Sequence, residues 1–262
     1  MLLEVFSNRF MAIAEQMGER LRSTAHSVNI KERLDFSCAI FDAEGGLIAN
    51  APHIPVHLGS MGESIKMVIS RNQGELKPGD VYALNDPYHG GTHLPDVTVV
   101  TPVFAPAGAS PGIWFYVASR GHHAEIGGVS PGSMPAGSTR IEEEGVLIDN
   151  WRLVDNGRLR EAETTSLLTA AAYPSRNPPT NLADLRAQIA ANEKGAEELR
   201  RMVAEHGLDV VHAYMGHVQE NAAAAVGNVI TALSDGQCDY ELDSGARTVS
   251  YTHLTLPPIL RV

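Results

Sequence analysis

The stretch from residue 77 to residue 128 constrains the fold most, because short apolar runs alternate there with loops rich in glycine, proline and histidine. Three runs have the length and the β-branched content of strands, at residues 81–84, 97–104 and 113–119. Strands that follow one another along a chain are usually neighbours in the sheet. The sequence therefore predicts an up-down-up meander, whose two long loops, 85–96 and 120–128, meet at one edge.

Groups able to carry chemistry are concentrated in these loops. Six of the eleven histidines lie between residues 53 and 123, among glycines, prolines and aspartates. A loop-built polar site uses such a mixture, whereas helices and strands rarely need it. The meander would gather eight side chains at one rim: Asp86, His89, His93, Asp96, Arg120, His122, His123 and Glu125.

The flanking segments predict an α+β fold with a mixed or antiparallel sheet, a loop-built site and a long antiparallel helix pair. Helical spacing predicts helices at 2–24, 60–69, 162–173, 182–206 and 208–233. Turn residues predict hairpins at 35–50 and 146–159. Asn181 is expected to cap the helix from residue 182, and an apolar stripe from Val210 to Ala222 indicates that the last two helices pack together.

Composition excludes several classes of protein. The net charge of −11 argues against a nucleic-acid surface, which needs clustered Lys and Arg. No run of eighteen apolar residues suggests a membrane span, and the first ten residues lack the pattern of a signal peptide. Two cysteines are too few for a disulfide framework. A cytoplasmic protein without nucleic-acid or membrane partners is expected.

The sequence His93-Leu-Pro-Asp96 offers an imidazole and a carboxylate on a stiff loop. With a third ligand from the other loop, such a pair suits Zn²⁺, Mn²⁺ or Fe²⁺ and leaves coordination positions open. The alternative is that His93 and Asp96 only hydrogen-bond each other or cap the loop. Of His122 and His123, one could ligate while the other points elsewhere, or both could be ordinary loop histidines.

Four further residues have open interpretations. Asp86 is a candidate general base or supporting carboxylate, or else a turn cap ahead of a proline. Arg120 could balance carboxylates or bind a substrate carboxylate. His53 and His57 could line the same cleft, although the sequence favours a buried, hydrogen-bonded His57. The glycine-rich loop, residues 85–96, has no Gly-Lys-Ser/Thr, so it is no Walker A motif.

Several blocks of this sequence resemble the signature segments of hydantoinase B-type proteins, at residues 29–38, 53–61, 85–96, 119–128 and 143–150. That family includes the second half of bacterial 5-oxoprolinase, one subunit of ATP-dependent N-methylhydantoinase and the large subunit of acetone-type carboxylases. Residues 192–201 and 214–221 are most similar to the 5-oxoprolinase branch. The resemblance runs from the first residues to about Arg247.

The resemblance implies a two-part, oligomeric enzyme. A hydantoinase A-like ATPase half or subunit would use ATP and Mg²⁺ to activate a small cyclic amide. The present part would complete ring opening, giving L-glutamate from 5-oxo-L-proline. By position, the metal ligands of the related carboxylases fall on His93, Asp96 and His122. Asp86 or His123 would then handle the proton, and Arg120 would balance developing negative charge.

The chain also departs from the family pattern. Residues 1–247 are expected to form only the front part of a longer hydantoinase B-like domain, so that the chain alone is an incomplete enzyme. Residues 248–262, with His253, do not continue the pattern and are expected to be a non-family tail. Three alternatives remain: a subunit acting on another cyclic amide, a carboxylase subunit, and a non-catalytic assembly piece with helices 182–233 as its interface.

Overall fold

The computed structural model of the protein describes residues 2–52, 54, 57, 59–106, 108–109, 111–243 and 245–252. The contacts divide the chain into two units, residues 1–215 and residues 216–262. Among the described residues, none of the helices is both long and apolar enough to cross a membrane.

A seven-stranded sheet forms the centre of the first unit. Its strands are β1 (Phe36–Phe41), β2 (Leu47–Pro52), β3 (Val81–Leu84), β4 (Asp96–Phe104), β5 (Ile113–His122), β6 (Trp151–Asp155) and β7 (Arg158–Leu159). They lie in the order β2-β1-β5-β4-β3-β6-β7, and every neighbouring pair is antiparallel. The predicted meander of β3, β4 and β5 and the two predicted hairpins are confirmed.

Strand β5 is longer than the sequence predicts. It continues through Arg120 to His122, which were expected in a loop. Strand β1 pairs with β5 on one side as far as Gly121, and β4 pairs on the other side with His122 opposite Asp96. Two partners thus hold the end of β5 extended. The polar residues at the end of β5 are typical of a loop, and the sequence alone does not show that two strands flank them.

Helices cover both faces of the sheet, which explains why the central strands are apolar on both sides. Their bounds are α1 (Leu2–Thr24), α2 (Val28–Lys31), α3 (Met61–Arg71), α4 (Glu161–Thr169), α5 (Pro178–His206) and α6 (Leu208–Ala232), with a short 3₁₀ helix at Ile141–Glu143. On β4, Val97 and Val99 face the cluster that holds Leu168 of α4 and Leu185 of α5, while Val100 faces the α3 side.

Helix α5 begins four residues earlier than predicted. Its N-cap is Asn177, whose side chain accepts a hydrogen bond from the Thr180 amide at 3.3 Å, and Pro178 occupies the first turn. Proline is tolerated there because the first amides of a helix have no partner within it. Asn181, the expected cap, is therefore inside the helix. It is buried, and its side chain donates to the Glu125 carbonyl at 2.7 Å.

Within the first unit, helix α5 packs against α1 and α4, and the pairing of α5 with α6 stays a prediction because most of α6 belongs to the second unit. A Cβ on Gly195 of α5 would meet the Met17 sulfur of α1 at 2.4 Å, so glycine permits this close approach. Only Gly207 separates α5 from α6. At the start of α6, Val211 and Met215 are buried, and Tyr214 stacks on Phe6 with ring centroids 4.1 Å apart.

The second unit contains the rest of α6 and a hairpin of β8 (Gly236–Glu241) and β9 (Arg247–Thr252). The side chains of β8 are exposed. Strand β9 includes the first residues of the expected non-family tail. Residues 253–262, with His253, lie outside the described part of the chain, as does His53. The division at residue 247 stays a prediction.

Candidate metal centre

The register of the central strands assembles the first part of the site. Asp96 opens β4 and lies directly opposite His122 at the end of β5. A tight turn brings His93 back over Asp96, because the Asp96 amide donates to the His93 carbonyl at 3.0 Å and the Val97 amide to the Pro95 carbonyl at 3.1 Å. The ligand atoms of His93, Asp96 and His122 consequently all lie within 4.8 Å of one another.

The Asp96 carboxylate lies between the two imidazoles. Its Oδ2 is 3.1 Å from His93 Nδ1, and its Oδ1 is 3.5 Å from His122 Nδ1. The two rings are 5.0 Å apart and inclined at 66°. Asp96 is buried, whereas the His93 side chain is 36% exposed, so the cluster has a closed floor and an open side.

Protonation states follow from this arrangement. Burial opposes ionisation of Asp96, but hydrogen bonds from His57 and His93 together hold the pKa of its carboxyl well below the usual range. The hydrogen bond with Asp96 raises the pKa of His93, and burial lowers that of His122. Asp96 is therefore an anion and His122 a neutral imidazole near neutral pH. These are the forms in which carboxylates and histidines ligate metals.

One atom tests whether these residues fit a metal. Within the described part of the chain, Asp96 Oδ1 is buried and has no hydrogen-bond partner. Leaving a carboxylate oxygen in that condition is costly, because burial removes its water without a replacement. A cation between Asp96 and the two histidines would neutralise this oxygen. The nitrogen and oxygen donors suit a divalent ion such as Zn²⁺, Mn²⁺ or Fe²⁺, so the residues fit.

Two further residues, His57 and Asp35, contact this cluster. His57 is buried, as its sequence favoured, and its Nε2 is also 3.3 Å from Asp96 Oδ2. Asp35, which the sequence did not single out, has Oδ2 3.6 Å from His122 Nδ1. Asp35 precedes β1, and only the pairing of β1 with β5 places it here. No spacing in the sequence signals that proximity.

Asp86 belongs to a separate polar cluster with His89 and Asp149. Its Oδ2 is 2.6 Å from His89 Nδ1, which is 3.5 Å from Asp149 Oδ1, and Arg71 pairs with the same Asp149 oxygen. Its Oδ1 accepts the Tyr88 amide at 2.9 Å, the turn contact that was one of its predicted roles. These ligand atoms also lie within 4.8 Å, but the guanidinium already neutralises one carboxylate.

Arg120 lies beneath the site and is fully buried. Its guanidinium donates to Thr98 at 2.7 Å, Ser60 at 2.5 Å and Ser64 at 2.9 Å, and the Ser64 hydroxyl donates in turn to the Gly90 carbonyl at 2.5 Å. Burial lowers the pKa of Arg120 to about 10, against the attraction of Asp96. The cation thereby connects the start of α3 with the glycine-rich loop.

His123 points away from Asp96, as adjacent residues at a strand end do. It is fully buried against α5, with Nε2 3.1 Å from Gln188 Oε1 and Nδ1 3.3 Å from Asn181 Nδ2. Nearby, Glu125 accepts the Gly127 and Arg176 amides at 2.9 and 3.1 Å. The predicted rim thus divides into four groups, namely His93 with Asp96 and His122, Asp86 with His89, Arg120 alone, and His123 with Glu125.

Comparison with known proteins identifies the family. The model described as Hydantoinase B/oxoprolinase matches residues 1–256. The chain belongs to this family. It is 49% identical over 233 residues to a protein named 5-oxoprolinase from Dictyostelium discoideum, an alignment that covers 89% of this chain and 18% of that protein. The chain therefore spans about a fifth of the length of such relatives.

Two solved structures share the fold. The ATP-dependent caprolactamase from Pseudomonas jessenii superimposes with a TM-score of 0.81 at 26% identity, covering 95% of this chain and 44% of that one. A nucleotide-free acetone carboxylase has a TM-score of 0.76 at 20% identity, covering 95% of this chain and 35% of that one. At that lower identity the second likeness concerns the fold alone. The predicted family and fold class are confirmed.

Proposed function

We propose that this chain is part of an ATP-dependent 5-oxoprolinase, which opens the ring of 5-oxo-L-proline to give L-glutamate. The observation that carries the proposal is the 49% identity to a 5-oxoprolinase over 89% of the chain. The likeness to an ATP-dependent caprolactamase supports a cyclic-amide substrate more generally. Because the chain spans a small part of its relatives, the proposal concerns the complete enzyme.

The cluster of His93, Asp96 and His122 is proposed to bind one divalent ion, Zn²⁺, Mn²⁺ or Fe²⁺. When bound, the ion would supply Lewis-acid charge that polarises the ring carbonyl or lowers the pKa of an attacking water. The half-exposed His93 and the buried Asp96 place that charge on a surface open to substrate from one side only. The unpartnered Asp96 oxygen supports this assignment.

Hydrolysis adds the hydroxyl of water to the ring carbonyl carbon and a proton to the ring nitrogen as the C–N bond breaks. Of the two residues proposed for the proton, Asp86 is favoured over His123, because both His123 nitrogens face side chains of α5. Asp86 would act through His89, whose Nδ1 lies 2.6 Å from Asp86 Oδ2. Arg120 would contribute its positive charge from beneath the site and hold the glycine-rich loop in place.

Activation by ATP and Mg²⁺ is assigned to a hydantoinase A-like half or subunit. This assignment rests on the family resemblance and on the ATP dependence in the name of the caprolactamase. In the complete enzyme, we expect ATP hydrolysis and ring opening to be separable, because the two chemistries would use different parts of the protein.

The test measures bound metal and glutamate formation in the complete enzyme carrying His93→Ala or Asp96→Ala. Both variants are expected to lose the metal and at least about 100-fold in glutamate formation, the scale at which electrostatic stabilisation of a transition state acts. His217→Ala, an exposed histidine of α6, is the matched control and should retain both. Full metal occupancy with undiminished ring opening in the two site variants would contradict the proposal.

Another cyclic amide is the second candidate substrate, favoured by the caprolactamase likeness. Glutamate formation from 5-oxoproline, compared with turnover of hydantoins and larger lactams, distinguishes these cases. Preference for another ring would exclude the 5-oxoprolinase assignment while retaining amide hydrolysis. Ketone-dependent ATP consumption with bicarbonate would instead indicate a carboxylase and exclude both.

A further inference from the structure

The two oxygens of Asp96 have very different surroundings. Three groups surround Oδ2, namely the Thr92 hydroxyl at 3.1 Å, His93 Nδ1 at 3.1 Å and His57 Nε2 at 3.3 Å. Oδ1 is buried without a hydrogen-bond partner among the described residues and faces His122 Nδ1 at 3.5 Å. One oxygen is thus held by the protein, and the other is left for a different partner.

His57 is itself held in place from the neighbouring strand. Its side chain is 2% exposed, and its Nδ1 is 3.1 Å from the hydroxyl of Ser37 on β1. Ser37 can donate its single hydrogen to His57 Nδ1 or to the Ile54 carbonyl, 3.3 Å away. A carboxylate oxygen accepts, so His57 Nε2 donates the hydrogen of its contact with Asp96 Oδ2.

We propose that His57, supported by Ser37, is a positioning residue that holds Asp96 Oδ2 and thereby presents Oδ1 to the metal. This inference rests on the proposed metal centre. His57 is not counted as a ligand, because the described ligand atoms that lie within 4.8 Å of one another are those of His93, Asp96 and His122.

The physical reason is the rotational freedom of a carboxylate. The torsion that orients a carboxylate plane is broad, so an unsupported Asp96 could turn and exchange its two oxygens at the metal. A donor on Oδ2 removes this freedom before the metal arrives. Partners that orient metal ligands in this way typically contribute a factor of about 10 to 100 in metal affinity.

The experiment measures binding of Zn²⁺ and Co²⁺ to the complete 262-residue chain by calorimetry and by the Co²⁺ absorption spectrum. His57→Ala should bind one ion about 10- to 100-fold more weakly than the unmodified chain. His57→Gln, whose amide can still donate to Oδ2, should recover part of the loss. Ser37→Ala should weaken binding less and in the same direction, since it removes only the support of His57.

Controls separate this inference from the proposed metal centre. His93→Ala should lose the site, His217→Ala should behave as the unmodified chain, and thermal melting without metal checks that each variant is folded. Unchanged affinity in folded His57→Ala and Ser37→Ala, with the site lost in His93→Ala, would overturn the positioning role alone. Complete loss of the bound ion in His57→Ala would also overturn it, by making His57 a ligand. No binding to the unmodified chain would overturn both proposals.

Discussion

Replacing Asn85 by alanine is expected to destabilise the loop that carries the site. The Asn85 side chain is fully buried and makes three hydrogen bonds to backbone: Nδ2 donates to the Leu94 carbonyl at 2.8 Å and the Val146 carbonyl at 2.9 Å, and Oδ1 accepts the Ile148 amide at 2.6 Å. Each buried backbone group left without a partner costs about 1–3 kcal/mol. Water that enters the space left by the amide will hydrogen-bond some of these groups, which reduces the upper limit of the total cost. The free energy of unfolding should therefore fall by about 3–5 kcal/mol.

The assay is urea unfolding of the complete chain, followed by circular dichroism. Asn85→Asp sharpens it, because aspartate can still accept from the Ile148 amide but directs an oxygen at the two carbonyls. It should destabilise at least as much as alanine, although its volume is conserved. Asn8→Ala, an exposed change on α1, is the control and should stay within about 0.5 kcal/mol. A loss below about 1 kcal/mol for both Asn85 variants would refute the reasoning, since one unsatisfied group alone costs that much.

Three shorter predictions concern other parts of the chain. Burial raises the pKa of the Cys38 thiol well above its ordinary value, so a thiol reagent should label only the exposed Cys238 until the protein is unfolded. Hydrogen bonds outweigh burial and lower the pKa of Glu125 in the folded protein, so its ionised form stabilises above about pH 4.5 and this stabilisation is lost as the pH falls. In urea unfolding between pH 7 and pH 3, Glu125→Gln should make the acid-side decline shallower; an unchanged slope would count against this. Gly91→Ala should weaken metal binding by about 10-fold or more, because its Cβ would meet the Asn85 carbonyl oxygen at 2.3 Å and displace the loop.

Local patterns were sufficient for most elements of this fold. Helical spacing predicted α1 with its observed bounds, and turn residues predicted both hairpins around the central strands. The rule that consecutive strands are neighbours was enough for the β3-β4-β5 meander. These features depend on interactions between residues close in sequence, so the amino-acid sequence alone was sufficient to predict them.

Long-range packing explains where the predictions failed. Helix α5 packs against α1, which is remote in sequence, a contact that the sequence did not predict. The end of β5 is a strand because β1 and β4 lie on either side of it. Asn181 lies inside α5 and not at its N-terminus, because Pro178 occupies the first helical turn and the helix begins earlier.

The site shows the same division. The sequence alone determined that an imidazole and a carboxylate, His93 and Asp96, would be presented by a stiff turn, because that turn is closed by residues three apart. Tertiary structure decided which histidine joins them, since the register of β4 and β5 turns His122 towards Asp96 and His123 towards α5. It also decided that His57 contacts one Asp96 oxygen and leaves the other unpartnered. Distances between remote segments depend on how the sheet is assembled, and no spacing along the chain encodes them.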